Sequence, residues 1–197
     1  MADPRPSIHL VQLDIAWENP GVNRAKVQQL LGAAPVRPGD LVLLPEMFAT
    51  GFSFNVPGTH DGSGATLAWM SSIAQELRVV IQAGRTLQAS SPGLGRNVAT
   101  VVDAAGVVCC EYTKVHPFPT EQSSFEPGRS IGTYAWAGLK VMPAICYDLR
   151  FPELFRSGLD AGAEAIAIGA CWPAVRLHHW RALLIARAIE NQAFVFG

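Results

Sequence analysis

Charge is scarce in this sequence. Only 16% of its 197 residues are Asp, Glu, Lys or Arg, against about 25% in an ordinary soluble protein. Together with 49% hydrophobic residues, that excludes a disordered chain and calls for a large buried core. Neither sign dominates. Fifteen Lys and Arg face sixteen Asp and Glu, for a formal net charge of −1. With no basic block either, nucleic acid and anionic membrane are poor partners. No apolar run is long enough to cross a bilayer. The most nearly uncharged stretch, Gly158–Cys171, is too short and too rich in Gly and Ala. The first residues, MADPRPSIHL, carry Asp3 and Arg5 where a secretory leader has an apolar run, so a cytoplasmic protein is expected.

Cysteine is also sparse. Cys109, Cys110, Cys146 and Cys171 contain no C-x-x-C pair, which argues against a disulfide framework or a zinc site and for buried thiols with one reactive member. Several catalytic signatures are missing. Gly58, Gly62 and Gly64 lack the GK[ST] of a phosphate loop, and no G-x-G-x-x-G follows a strand. No G-x-S-x-G elbow is present, which removes the serine hydrolases of that type. His178 and His179 are adjacent, hence on different helix faces, and no H-E-x-x-H occurs; no metal or other cofactor is expected.

What is present is an alternation of short apolar runs and helical patterns. At roughly 150 residues per domain the length predicts one domain over 1–197. Strands are expected at Ile8–Leu13, Leu41–Leu44, Val79–Ala83, Thr86–Ala89, Asn97–Asp103, Val107–Tyr112, Thr133–Trp136, Leu139–Ile145, Ala165–Ile168 and Ala193–Phe196. Helices are expected from Pro20, behind an Asn19 cap, to about Leu31, and at Thr66–Leu77, Pro152–Ala161 and Ala174–Asn191. The last presents Leu177, Trp180, Leu184, Ile185 and Ala188 on one face. The order is that of an α/β protein with mixed sheets and helices outside. The apolar Ala193–Gly197 has no polar tail, so the chain is expected to be an incomplete domain, or one whose edge a partner covers.

Three polar residues close apolar strands. Glu46 follows LVLLP, Lys114 ends VVCCEYTK, and Cys146 ends Leu139–Ile145 at a turn into a helix, where a helix N-terminus favours the thiolate. Each has a plain alternative: a loop carboxylate, a charge that blunts a strand edge, an inert buried thiol. Together, at the C-terminal ends of their strands, they suit nucleophilic acyl transfer. A free thiol is only about 3% ionised at pH 7 and needs a base, a role open to Glu46. Lys114 and the backbone N–H of Tyr147 suit an oxyanion.

LLPEMFATGF (43–52), YTKVHPF (112–118) and ICYDLRFPELFR (145–156) resemble the signature segments of the nitrilase superfamily, the carbon–nitrogen hydrolases with a Glu–Lys–Cys triad. VQLDIAWENPGVN (11–23) and residues 171–197 resemble its omega-amidase branch, which hydrolyses the terminal amide of 2-oxoglutaramate and 2-oxosuccinamate. The resemblance implies Glu46 as general base, Lys114 as oxyanion stabiliser, Cys146 as thioester-forming nucleophile and Glu121 as a second glutamate positioning the lysine and water. It also implies an α-β-β-α sandwich, here without its last strands, a homodimer, a small-molecule amide substrate and no cofactor. A carboxylate-bearing substrate calls for a cation, and Arg150 and Arg176 are the candidates, though Arg150 has the alternative of pairing Asp148 or Glu153. Phe48, Phe52, Phe118 and Trp172 suit either pocket wall or core, and His116 a loop-shaping role. A nitrile, an N-carbamoyl amine or a simple amide remains an alternative substrate, and a non-catalytic scaffold an alternative class.

Overall fold

A computed structural model describes residues 5–197; Asp3, which bears on the question of a leader, lies outside them. In chain order the elements are β1 (Ile8–Leu10), α1 (Pro20–Ala33), β2 (Leu41–Leu43), the single turn α2 (Val56–Thr59), α3 (Ala65–Leu77), β3 (Val80–Gln88), β4 (Gly95–Val102), β5 (Val108–Thr113), β6 (Tyr134–Trp136), β7 (Leu139–Ile145), α4 (Pro152–Asp160), β8 (Ala165–Gly169), α5 (Leu177–Asn191) and β9 (Phe194–Phe196). Short 3-10 turns occupy Pro119–Glu121, Cys146–Arg150 and Ala174–Arg176. Asn19 caps α1, its side chain accepting from the Val22 N–H at 3.2 Å, with Pro20 in the first turn.

The strands form two sheets, in the orders β1-β2-β3-β4-β5 and β6-β7-β8-β9. β1, β2 and β3 run parallel and β4 and β5 return antiparallel. In the second sheet β6–β7 is a hairpin, and β7, β8 and β9 are parallel through α4 and α5. One core packs α1 and α3, through Val27, Leu31, Met70 and Ile73, on the first sheet. A second packs Leu154, Phe155, Trp180 and Leu184 of α4 and α5 on the other sheet. Between the sheets lie Leu41, Leu43, Val101, Tyr134, Val141, Ala165 and Ala167. These are the α-β-β-α layers expected. Gln82 ties the middle together, donating to the Ala167 carbonyl at 2.8 Å and accepting from the Tyr134 hydroxyl at 2.9 Å, so both polar atoms of its buried amide have a partner.

Several boundaries differ from the sequence reading. Val79–Ala83 and Thr86–Ala89 belong to one strand, β3, across Gly84-Arg85. The buried Arg85 between them is neutralised, its guanidinium reaching Asp61 and Glu111 at 2.8 Å each and Thr100 at 3.0 Å. Gly84 is needed for packing: a Cβ there would overlap the Met47 nitrogen and lie 2.6 Å from Glu46 Cα. The helix read from Ala174 begins at Leu177, after a 3-10 turn, and the turn at α2 was not foreseen among the glycines. The face assigned to that helix holds at Trp180 and Leu184, which pack into the core, and is corrected at its edges. Leu177 and Ile185 stay 55% and 57% exposed, while Arg187 and Asn191 are buried. Arg187 is drawn inward because it donates to the Leu149 carbonyl at 3.1 Å and stacks its guanidinium on Phe155.

Candidate active site

In parallel strands the C-termini share a rim, as those of β7 and β8 do. The end of β2, in the other sheet, meets that rim where the Cys171 N–H reaches Glu46 at 3.0 Å. Glu46 lies just past β2, Cys146 just past β7 and Cys171 two residues past β8. Lys114 enters from the end of β5, and Glu121 from the turn that follows. Glu46 and Glu121 are fully buried and Lys114 is 1% exposed. Burying three ionisable groups is tolerable only if they satisfy one another, and they do. Lys114 Nζ donates to Glu46 Oε1 at 2.7 Å and to Glu121 Oε2 at 2.5 Å. Glu121 Oε2 also accepts from the Phe118 N–H at 2.6 Å.

Two residues not foreseen complete the cluster. Asn97 of β4 donates its side-chain amide to Glu46 Oε1 at 2.8 Å and to Glu121 Oε1 at 2.9 Å. Cys171 donates its N–H to Glu46 Oε2 at 3.0 Å, and its thiol lies 3.1 Å from the Glu46 carbonyl. The only sequence signal for Asn97 is an amide at the head of the apolar run VATVV, and for Cys171 a thiol after the apolar strand AIAIG.

Burial opposes ionisation of Glu46, but the Lys114 ammonium, the Cys171 N–H and the Asn97 amide outweigh it and hold its carboxyl below the usual range. Glu121 goes the other way, pushed up by burial and by the Glu46 charge despite Lys114. The two carboxyls are thus driven apart, the pattern by which sites separate acid and base roles. Lys114 is raised well beyond its ordinary value: burial disfavours the cation, but the Glu46 and Glu121 carboxylates secure it, so it acts as a fixed charge and not as a proton carrier.

Cys146 is 7% exposed and sits at φ 45°, a left-handed conformation costly for a residue with a Cβ and concentrated at functional sites. Its thiol is pushed well up, by burial first and then by the Glu46 charge, with Lys114 opposing. The expectation that the turn favours a thiolate is therefore overturned: in a dry site beside a carboxylate, the neutral thiol wins.

Asp148 locks the nucleophile turn to the lysine strand. Its fully buried carboxylate accepts from the Tyr112 hydroxyl at 2.7 Å, the Ile145 N–H at 3.1 Å and the His116 N–H at 2.9 Å. The His116 ring adds a contact at 3.0 Å and stacks on Phe151 with centroids 3.8 Å apart.

A cavity of about 80 Å³ opens on Cys146, walled by Phe52, Phe118, Tyr147, Trp172, Arg150 and Arg176. Phe48 is not among them; it is fully buried against α3, stacked near Trp69. Arg150 lies with its guanidinium 5.1 Å from the Trp172 ring and 5.8 Å from the Tyr147 ring, Nη2 facing His179 Nδ1 at 3.2 Å. It pairs neither Asp148 nor Glu153. Among the described residues neither Arg150 nor Arg176 has a carboxylate partner. A larger cavity of about 470 Å³ against Leu10, Leu44, Ile168 and Trp180 is lined by none of Glu46, Lys114 and Cys146. A small cavity with a thiol, a buried carboxylate and a fixed cation can carry acyl transfer from an amide.

That arrangement on this sandwich defines a hydrolase of non-peptide carbon–nitrogen bonds. The chain belongs to the carbon–nitrogen hydrolase family, whose model matches residues 8–197. It is 34% identical over 193 residues to a 2-oxoglutaramate amidase of Bacillus subtilis, covering 96% of this chain and 74% of that protein. It is 34% identical over 196 residues to the omega-amidase YafV of Escherichia coli K12, covering 98% and 74%. A solved carbon–nitrogen hydrolase superfamily protein of Xanthomonas campestris superposes with a TM-score of 0.86 at 32% identity, over 95% of this chain and 73% of that one. An amidase of Nesterenkonia sp., at 24% identity, shares the fold with a TM-score of 0.87, over 95% and 73%. Among the described residues no helix is long and apolar enough to cross a membrane.

Proposed function

We propose that this hydrolase cleaves the terminal amide of a small dicarboxylic keto acid, of the 2-oxoglutaramate or 2-oxosuccinamate kind, giving the acid and ammonia. The observation that carries it is the pair of arginines without carboxylate partners, Arg150 and Arg176, on the cavity that holds the Cys146 thiol. A guanidinium on the same cavity wall as the nucleophile suits an amide whose far end is a carboxylate. The names of the relatives above support the same substrate class.

In this reading Cys146 Sγ attacks the amide carbon as Glu46 takes the thiol proton, so the unfavourable thiolate never accumulates. Lys114 and the Tyr147 backbone N–H stabilise the oxyanion. Glu46 returns the proton to the leaving nitrogen, ammonia departs and a thioester remains. Water, deprotonated by Glu46 in a site ordered by Glu121, then releases the acid and restores the thiol. Phe118, Tyr147 and Trp172 wall the substrate. The protein acts as a cytoplasmic homodimer. Four free cysteines suit a reducing compartment, and the exposed Ile185, Ile189 and Phe194 suit a subunit contact.

The test is ammonia release from 2-oxoglutaramate, beside glutamine, a simple nitrile and the Cys146→Ala variant. Release that prefers the keto-acid amide and disappears in Cys146→Ala is expected. Equal turnover of the nitrile, or release that survives Cys146→Ala, overturns the proposal.

A further inference from the structure

Three ionisable groups share the buried cluster, and two of them are carboxyls competing for one ammonium. What separates their roles is a fourth, uncharged group. Asn97 Nδ2 carries two N–H bonds and spends one on each carboxyl, at 2.8 Å to Glu46 Oε1 and 2.9 Å to Glu121 Oε1. The same residue's backbone carbonyl accepts from the Lys114 N–H at 2.9 Å, so β4 places the amide and the lysine together. Asn97 is 1% exposed, and among the described residues its Oδ1 has no hydrogen-bond partner. Turning the amide over would face that oxygen to two carboxyl oxygens, so the orientation is fixed by repulsion as well as attraction.

We infer that Asn97 is a positioning residue of this hydrolase: its amide keeps Glu46 ionised and aimed at the thiol while Glu121 holds the other side of Lys114. The inference rests on Glu46 being the base. An amide suits the task because it donates without ever titrating. The groups that face Glu46 among the described residues are Lys114 from the end of β5, Glu121 from the following turn, Cys146 after β7 and Cys171 after β8. Lys114 and Cys171, together with Asn97 of β4, donate to its carboxylate. Removing Asn97 takes a donor from the oxygen that Lys114 also holds and shifts the balance toward a protonated Glu46.

The experiment measures two things in wild type, Asn97→Leu (near-equal volume, no donor), Asn97→Ser and Glu46→Gln. One is the pH profile of kcat/KM for 2-oxoglutaramate. The other is the rate of Cys146 alkylation by iodoacetamide at pH 5, on the acid limb, read by mass spectrometry of that peptide. Loss of the amide is expected to move the acid limb up by about one pH unit, lowering kcat by up to about tenfold at the foot of that limb, with KM and the rate at pH 7 little changed. Alkylation should speed up, because a protonated Glu46 no longer repels the thiolate while Lys114 still attracts it. An acid limb that moves while the rate above it holds is a signature that loosened packing does not produce. An acid limb that stays in place in both Asn97 variants overturns the inference, whatever happens to their melting temperatures. Full turnover in Glu46→Gln overturns the base assignment beneath it instead.

Discussion

Lys114 Nζ lies 2.7 Å from Glu46 Oε1 although the two residues are 68 positions apart, and both are shut away from water. The pair is held from behind by Glu121 and Asn97, so the ammonium is a fixed feature of the site. Four consequences can be measured.

Lys114→Arg keeps the charge but not the place. The guanidinium is longer and planar, and cannot meet Glu46, Glu121 and an oxyanion from the ammonium's position. Turnover is expected to fall at least about 100-fold, the order seen for loss of one oxyanion donor. Near-normal kcat in a steady-state assay would exclude the assigned role.

Arg150→Ala and Arg176→Ala should raise KM for the keto-acid amide. A hydrogen bond to a charged group contributes about 1.5–3 kcal/mol, or roughly tenfold to a hundredfold. A simple amide without a distal carboxylate should be turned over as before. If both substrates suffer alike, the arginines shape the cavity and do not read the carboxylate.

The resting thiol should be slow to react. Because burial and Glu46 raise the Cys146 pKa, its proton is retained as pH rises through the ordinary thiol range, and the thiolate fraction at pH 7 is below the roughly 3% of a free cysteine. Iodoacetamide labelling of Cys146 is expected to keep accelerating above pH 8.5 without a plateau, whereas a plateau near pH 7 would show an ion pair at rest.

Gly84→Ala should injure stability and activity together, since the new methyl meets the backbone of Glu46 and Met47 and not a yielding side chain. Overpacking of this kind costs about 1–3 kcal/mol, which in a chain of this size lowers Tm by about 2–4 °C per kcal/mol. A variant with unchanged Tm and turnover would show that β3 can move away from the Glu46 turn freely.

Much of the arrangement was legible in the sequence because it is local. Apolar runs such as Leu41–Leu44 and Leu139–Ile145 declare buried strands, and a polar residue directly after such a run declares a rim position, which is how Glu46, Lys114 and Cys146 stand out. Glu121 and the two arginines came only through family resemblance. Val79–Ala83 and Thr86–Ala89 did not read as one strand, because the partners that let Arg85 lie buried within it, Asp61 and Glu111, sit elsewhere in the chain.

What the residues alone determined is which chemistry is available: an acid, an amine and a thiol at strand ends, in a chain with few other charges. What only the tertiary structure decided is their state. Whether Cys146 holds its proton, which way the Glu46 and Glu121 carboxyls are shifted, and whether Arg150 is paired all depend on burial and on neighbours tens of residues away. Electrostatic energies in a dry site are set by distances of a few ångströms, and those distances are fixed by the packing of β2, β4, β5, β7 and β8 around one rim, not by any single segment.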